Sequence, residues 1–265
     1  MSQTLSVNCT ALTFTALRNV PLVRSGDDLA AIILDACEES KETLCDGDIL
    51  LLAQKIVSKA EGMTVNLADV IPTETAIRLA KESNKDPRLV EVILGESNEV
   101  VRHREGAIIV ENHHGMVLAN AGIDASNVEQ EGGETVLLLP NDPDLSCAQL
   151  RNEIKKRSGK EVGVVINDSL GRAFRNGTAG AALGVAGVPA LVDLSGETDL
   201  FNRPLRVTQV AIADELAAAA SLLMGQASEG RPIILLKGFV CDAQNGTAKD
   251  LVRHRKHDLF RDIKQ

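Results

Sequence analysis

Residues 161–172, EVGVVINDSLGR, decide how the rest of the chain is read. Val162 to Ile166 is a β-rich apolar run and reads as a strand. At Asp168 the run ends and the chemistry changes to carboxylate, hydroxyl, glycine and arginine: Asp168, Ser169, Gly171 and Arg172. Strand ends are where open sheets present ligand-binding groups. A strand expected to end at Asp168 therefore offers both a fold element and a candidate site.

Working outward, LSCAQLRNEIKKRSG reads as a helix stopped by Gly159, and ETVLLLPND as a strand ending at Pro140. Ile49–Ala53 is a short, fully apolar run that suits a buried strand. Before it, Leu29, Ile32, Ile33 and Ala36 recur at helical spacing behind a cap at Ser25 or Asp27. Residues 5–17 alternate and read as a strand, 73–83 as a helix, and Pro87 as a helix start or turn. Residues 107–111 and 116–119 read as a hairpin turning at His113–Gly115. Downstream, VPALVDL and RPIILLKGF read as strands, and TQVAIADELAAAASLLMG as a long helix closed by Gly225. Strands and helices interleave irregularly, without a repeat or a linker, which predicts a mixed α/β or α+β protein with no clean domain cut.

Composition narrows the function. The chain has 265 residues and a formal net charge of −9, with five Phe and neither Trp nor Tyr. The core must be aliphatic. Attraction to a nucleic-acid backbone and a stacking platform for single strands are both disfavoured. Phosphate handling in so acidic a chain needs local cations or metal ions. Five scattered cysteines without a CxxC pair argue for reduced thiols rather than disulfides or zinc. No leader pattern or membrane-length apolar run is visible, so the expected location is the cytoplasm. The P-loop, the dinucleotide fingerprint, G-x-S-x-G and H-E-x-x-H are all absent from the sequence.

Asp124 and Asn127 lie in a small loop, NAGIDASNV (120–128). Alone they read as an Asx-type turn. Beside Asp168 and Ser169 they become a candidate pair of carboxylates for a hard cation, which takes one or two carboxylates together with hydroxyl, water and phosphate oxygens. The glycine run GTAGAALGVAG (177–187) reads as close packing or turns, and as a phosphate cradle only through Arg172 and Arg175 upstream. Lys55 and Lys59 read either as a solvated helix edge or as cations for a polyphosphate. His113–His114 point apart on a strand, and His254 and His257 sit in a charged tail, so none suggests a metal centre.

Five blocks carry a family resemblance: GDILLLAQKIVSKAEG (47–62), HGMVLANAGIDASNV (114–128), VVINDSLGRAFRNGTAGAALGVAG (164–187), DLFNRPLRVTQVAIADELAAAASLLMGQ (199–226) and DLVRHRKHDLFR (250–261). In order, from about Val20 to the C-terminus, the chain resembles the coenzyme F420:L-glutamate ligases. The resemblance implies an α+β fold of mixed sheets and helices in two intertwined subdomains, one ligase domain over 1–265. It implies a homodimer with the nucleotide site near the subunit interface. The implied activity is GTP-dependent addition of one or more glutamates to the lactyl-phosphate tail of a deazaflavin precursor, with two divalent ions, Mg²⁺ or Mn²⁺, and K⁺.

Carried onto this sequence, one metal falls on Asp124 and Asp168 and the other on Ser169 and Gln226. Nucleotide contacts fall on Val20, Pro21, Leu22, Val23, Gln54, Lys55, Lys59 and Asn127, and on Met224, Gly225, Gln226, Ala227, Ser228, Glu229, Gly230 and Arg231. Arg172 and Arg175 are the expected catalytic arginines. The family's Gly-Arg-Pro-Trp-Arg is here Gly171, Arg172, Ala173, Phe174, Arg175. Leu194 and Ser195 replace a Tyr-Arg pair, and Asn202 a common Gly. These departures fall on the acceptor side and spare the metal set. Two other readings fit the residues: a guanine-nucleotide-binding regulatory module without catalysis, and a ligase for another carboxylated cofactor.

Overall fold

A computed structural model describes residues 9–128 and 134–259. The first four residues of the strand expected over 5–17, and the chain end from 260, lie outside the described residues. In chain order the elements are β1 (Thr13–Ala16), α1 (Leu29–Glu39), β2 (Ile49–Ala53), α2 (Gln54–Ala60), β3 (Thr64–Asn66), α3 (Glu74–Ser83), α4 (Pro87–Gly95), β4 (Ser97–Arg104) and β5 (Ala107–Asn112). There follow β6 (Val117–Ala119), β7 (Thr135–Leu137), α5 (Pro143–Ser158), β8 (Gly163–Arg172), β9 (Arg175–Ala186), β10 (Val192–Asp193), β11 (Gln209–Val210), α6 (Ile212–Met224) and β12 (Ile233–Lys237). The fold is α+β, as expected.

A five-stranded sheet in the order β1-β12-β2-β8-β9 forms the centre, with β2 and β8 its parallel pair. Ile49–Ala53, 163–166 and 233–236 of its inner strands are apolar without interruption because both faces are covered there. Leu50, Leu52, Val164, Ile166, Ile233 and Leu235 point to one face, where they pack with Ile33, Ala36 and Cys37 of α1 and Cys147 and Ile154 of α5. Their neighbours Ile49, Leu51, Val165, Ile234 and Leu236 point to the other, against Leu216, Ala217 and Ala220 of α6. The excursion between α2 and α5 carries a smaller core. There Leu79, Val90 and Ile93 of α3 and α4 pack on Ile108 and Val110 of the three-stranded sheet β4-β5-β6.

Most helix ends follow the sequence signals. Thr73 caps α3, and Asp86 and Asp142 cap α4 and α5 with Pro87 and Pro143 at the first helical positions. Gly159, at φ +72°, ends α5. The cap of α1 is Asp28, one residue beyond the expected pair, accepting from the Ala31 amide.

The region after Asp168 corrects the sequence reading. The strand does not end there. β8 continues to Arg172, turns through Ala173–Phe174 and returns as β9, and the glycine run is strand rather than cradle. Its glycines serve close approach. A Cβ on Gly180 would stand 2.4 Å from the carbonyl oxygen of Ala217 in α6, and one on Gly184 2.3 Å from that of Pro143 in α5. Both helices press onto β9 where it has no side chain. The same helices guard this edge strand. The Ala182 amide donates to Asp214 of α6 and the Val185 amide to Asp144 of α5, each at 2.9 Å, so first-turn carboxylates satisfy N–H groups that no sixth strand pairs. Other differences are shorter elements. The expected strand in 188–194 is two residues, and the expected long helix begins only at Ile212 because Gln209–Val210 pairs with Val192–Asp193.

Candidate functional site

β2 and β8 run parallel until β2 ends, β8 going on in its hairpin with β9, and the last paired residues are Ala53 and Asn167. Immediately beyond them come Gln54, where α2 starts, and Asp168. The two strands therefore deliver the Lys55 segment and the Asp168–Ser169 segment to one rim. The loop 120–128 arrives from the smaller core, and the segment after α6 closes the opposite side. Together they enclose a cleft of about 620 Å³.

Every residue expected to contact nucleotide or metal lines this cleft: Val20 to Val23, Gln54, Lys55, Lys59, Asp124, Asn127, Asp168, Ser169 and Met224 to Arg231. Asn167, Ser126, Thr178 and Ser221 also line it and were not anticipated. Asn167 was hidden because it reads as the last residue of an apolar strand. It is buried, donates to the Met224 sulfur at 3.2 Å, and leaves its Oδ1 without a partner. Arg172 and Arg175 are outside the lining. Both are exposed at the hairpin tip, where the Arg172 guanidinium donates to the Asn176 carbonyl at 3.3 Å.

The Asp124 loop is an Asx turn and a carboxylate presentation at once. Its backbone is fixed by paired amide–carbonyl bonds to Leu137 of 3.0 and 2.8 Å. Oδ1 accepts from the Ser126 amide at 2.7 Å, and Oδ2 faces Lys55 Nζ at 2.7 Å. Just upstream, Asn120, Ala121 and Gly122 all have positive φ, a conformation costly for the alanine. Such local strain is found where the surrounding structure must hold a functional loop in one shape.

The two carboxylates are held in opposite electrostatic states. Burial pushes Asp124 up, but the hydrogen bond and charge of Lys55 and the Ser126 amide outweigh it and hold the acid below its ordinary value. Burial also pushes Asp168 up. There the Ser169 amide offsets only part, and the nearby charge of Asp124 raises it further. A desolvated carboxylate beside another, only partly compensated by the charge of Lys55, is a favourable place for a positive ion. The donors are hard oxygens: two carboxylates, the Ser169 hydroxyl and the Gln226 amide. Among the described residues no cluster of three or more His, Cys, Asp or Glu is placed to chelate. An ion held here would complete its shell with water and phosphate oxygens, which is the habit of Mg²⁺ and Mn²⁺. The residues fit such an ion.

The lysines are not a solvated edge. Lys55 and Lys59 project from α2 to the Asp124 loop, Lys59 Nζ lying 2.6 Å from the Asn127 carbonyl. Asn127 in turn donates to the Ala227 carbonyl at 3.2 Å and so joins the two loops across the cleft. Gln54 is buried, with Oε1 accepting from Ser58 at 2.9 Å, so it shapes the floor.

Comparison with known proteins identifies the chain's relatives. The model of the F420-0:gamma-glutamyl ligase family matches residues 18–238. The coenzyme F420:L-glutamate ligase of Methanothermobacter thermautotrophicus is 46% identical over 252 residues, covering 94% of this chain and 99% of the relative. That of Methanocaldococcus jannaschii is 46% identical over 216 residues, covering 82% and 85%. That of Archaeoglobus fulgidus is 40% identical over 245 residues, covering 92% and 94%.

Proposed function

The chain belongs to the F420-0:gamma-glutamyl ligase family, and from this premise we propose that it is a GTP-dependent ligase joining L-glutamate to the deazaflavin precursor of coenzyme F420. The observation that carries the reading is the meeting of Asp124, Asp168, Lys55 and Lys59 with the 224–231 loop in one cleft at the ends of parallel strands.

An amide bond from a free carboxylate needs activation. An acceptor carboxylate oxygen attacks the γ-phosphorus of GTP, GDP leaves, and the acyl phosphate is attacked by the α-amine of glutamate, releasing phosphate and a proton. Asp124, Asp168, Ser169 and Gln226 would hold divalent ions, which supply charge neutralisation at the phosphates. Lys55 and Lys59 add positive field in a chain whose net charge of −9 repels three anionic reactants. The 224–231 loop and Val20–Val23 wall the nucleotide. K⁺ belongs to the same proposal.

The acceptor side lies toward the hairpin tip. Phe174, Leu200, Phe201 and Val207 are 76–98% exposed, an unusual load of bare apolar surface, and a second copy of the chain is proposed to cover it. Five free thiols accord with a reducing, cytoplasmic setting. Among the described residues no helix is long and apolar enough to cross a membrane.

The test is incubation of purified protein with GTP, Mn²⁺, L-glutamate and the glutamate-free precursor, followed by mass spectrometry. A GTP-dependent gain of one or more glutamyl units is the expected result. GDP release without that gain sends the search to another acceptor, and neither product overturns the ligase reading.

A further inference from the structure

The two lysines of α2 hold the Asp124 loop by different atoms. Lys55 Nζ contacts Asp124 Oδ2 at 2.7 Å, Ser126 Oγ at 2.6 Å and the Ser126 carbonyl at 3.1 Å. These three oxygens match the three protons of an ammonium group. Lys59 Nζ donates to the backbone carbonyl of Asn127. Asp124 Oδ1 is engaged by the Ser126 amide and Oδ2 by Lys55, so both oxygens of this cleft carboxylate are already in use.

We infer that Lys55 is a positioning residue that competes with a divalent cation for Asp124 and passes to the phosphates of an arriving nucleotide, so that cation and nucleotide each strengthen the other's binding. The inference rests on the metal–nucleotide reading of the cleft. A cation arriving alone must break the three contacts of Lys55 and leaves an ammonium beside a dication. A nucleotide arriving alone brings phosphates against Asp124 and Asp168. Arriving together they exchange partners: the cation takes the carboxylates, and Lys55 finds phosphate oxygens within reach of the same cleft. Linkage requires this coupling to act equally in both directions. Lys59 reaches the Asn127 carbonyl, three residues beyond Asp124, so it assists the nucleotide without opposing the cation.

The experiment measures Mn²⁺ binding by electron paramagnetic resonance and by calorimetry, with and without GDP. It compares the wild type with Lys55→Met, Lys55→Arg and Lys59→Met, each first checked for a wild-type melting profile. Without GDP, Lys55→Met is expected to bind Mn²⁺ about tenfold more tightly, the order expected for removing one partly exposed competing charge. GDP is then expected to improve its Mn²⁺ affinity by a smaller factor than in the wild type. Lys55→Arg keeps the weak wild-type affinity, and Lys59→Met loses GDP affinity without gaining Mn²⁺. A Lys55→Met protein that binds Mn²⁺ no more tightly than the wild type overturns the inference. So does an equal gain in Lys59→Met, which would reduce the effect to net charge. Absence of Mn²⁺ binding in every protein, even with GDP, overturns the metal–nucleotide reading itself and is distinct from both.

Discussion

The hairpin of β8 and β9 has a base and a tip that do opposite things. At the base, Asn167, Asp168 and Ser169 line the cleft together with Val20–Val23, the start of α2, the Asp124 loop and the 224–231 loop. At the tip, Arg172, Phe174 and Arg175 stand in solvent. In sequence the two sets are one motif. In space, Arg172 is four strand residues beyond Asp168, about 13 Å at the usual rise. A ligand at the base therefore does not meet the arginines simply because they are near in sequence. The base shares its cleft with other segments of the same chain, whereas the tip exposes Phe174, part of the surface proposed to meet a second copy.

Removing the base's carboxylate is the strongest way to sharpen this contrast. Asp168→Ala is expected to lower glutamyl transfer by about 10³-fold or more, the scale of removing a preorganised charge-stabilising group. Its melting midpoint should not fall, since the lost carboxylate is one that burial disfavours. Turnover within a few-fold of wild type would break the assignment of the base as the metal site.

The second test asks whether the hairpin's glycines serve a ligand or the packing. Gly180→Ala drives a Cβ into the α6 backbone and is expected to cost about 2–3 kcal/mol in urea denaturation. Gly171→Ala, nearer the tip, meets nothing within 4 Å and should stay within about 0.5 kcal/mol of wild type. Equal costs at the two positions would deny that the base is packed and the tip free.

The third test addresses the tip. The double variant Arg172→Ala, Arg175→Ala is expected to raise the KM for the acceptor by about tenfold and leave the KM for GTP unchanged, the signature of lost ground-state contact to one substrate. A matching rise in the KM for GTP would place the tip over the nucleotide and erase the contrast between the two ends.

Why the base was legible and the tip was not follows from how each was written. Asp168 stands where an apolar run meets polar chemistry, a change visible in the sequence itself. Asp124 was legible only beside Asp168, since its loop reads equally as a turn; the structure shows that turn and sets Asp124 in the same cleft as Asp168. Ala53 opposite Asn167, the register that brings Lys55 to the same rim, joins residues more than a hundred positions apart that no local pattern links. Asn167 carries no local signal, because an amide at the end of an apolar strand has the composition of a strand end whatever it does. The glycines left two readings open, and the structure bears out close packing. A close approach of α6 and α5 to β9 and a phosphate cradle both require the absence of a side chain, so the sequence alone is the same for each. Strand β4 was missed because its burial alternates only along part of its length and its register shifts twice.

The smallest expected effect returns to β9 and to the side chains that close its outer edge. Burial pushes the Asp214 carboxyl above its ordinary value, and the hydrogen bond from the Ala182 amide only partly offsets that. The folded protein therefore binds this proton more readily than the unfolded chain. Its contribution to stability is greatest in acid and declines as pH rises from about 3.8 through the raised value, after which the loss is complete. Asp214→Asn keeps an oxygen for the Ala182 amide and removes the desolvated charge. The variant should be more stable than wild type at pH 7, by under about 1 kcal/mol once screening of the partly exposed carboxylate is allowed for, and the gap should close as pH falls toward 4. Urea midpoints across that range would decide it. A variant less stable at pH 7 would mean that the ionised carboxylate itself holds the edge of β9, and that the helix-to-strand bond is worth more than the burial it costs.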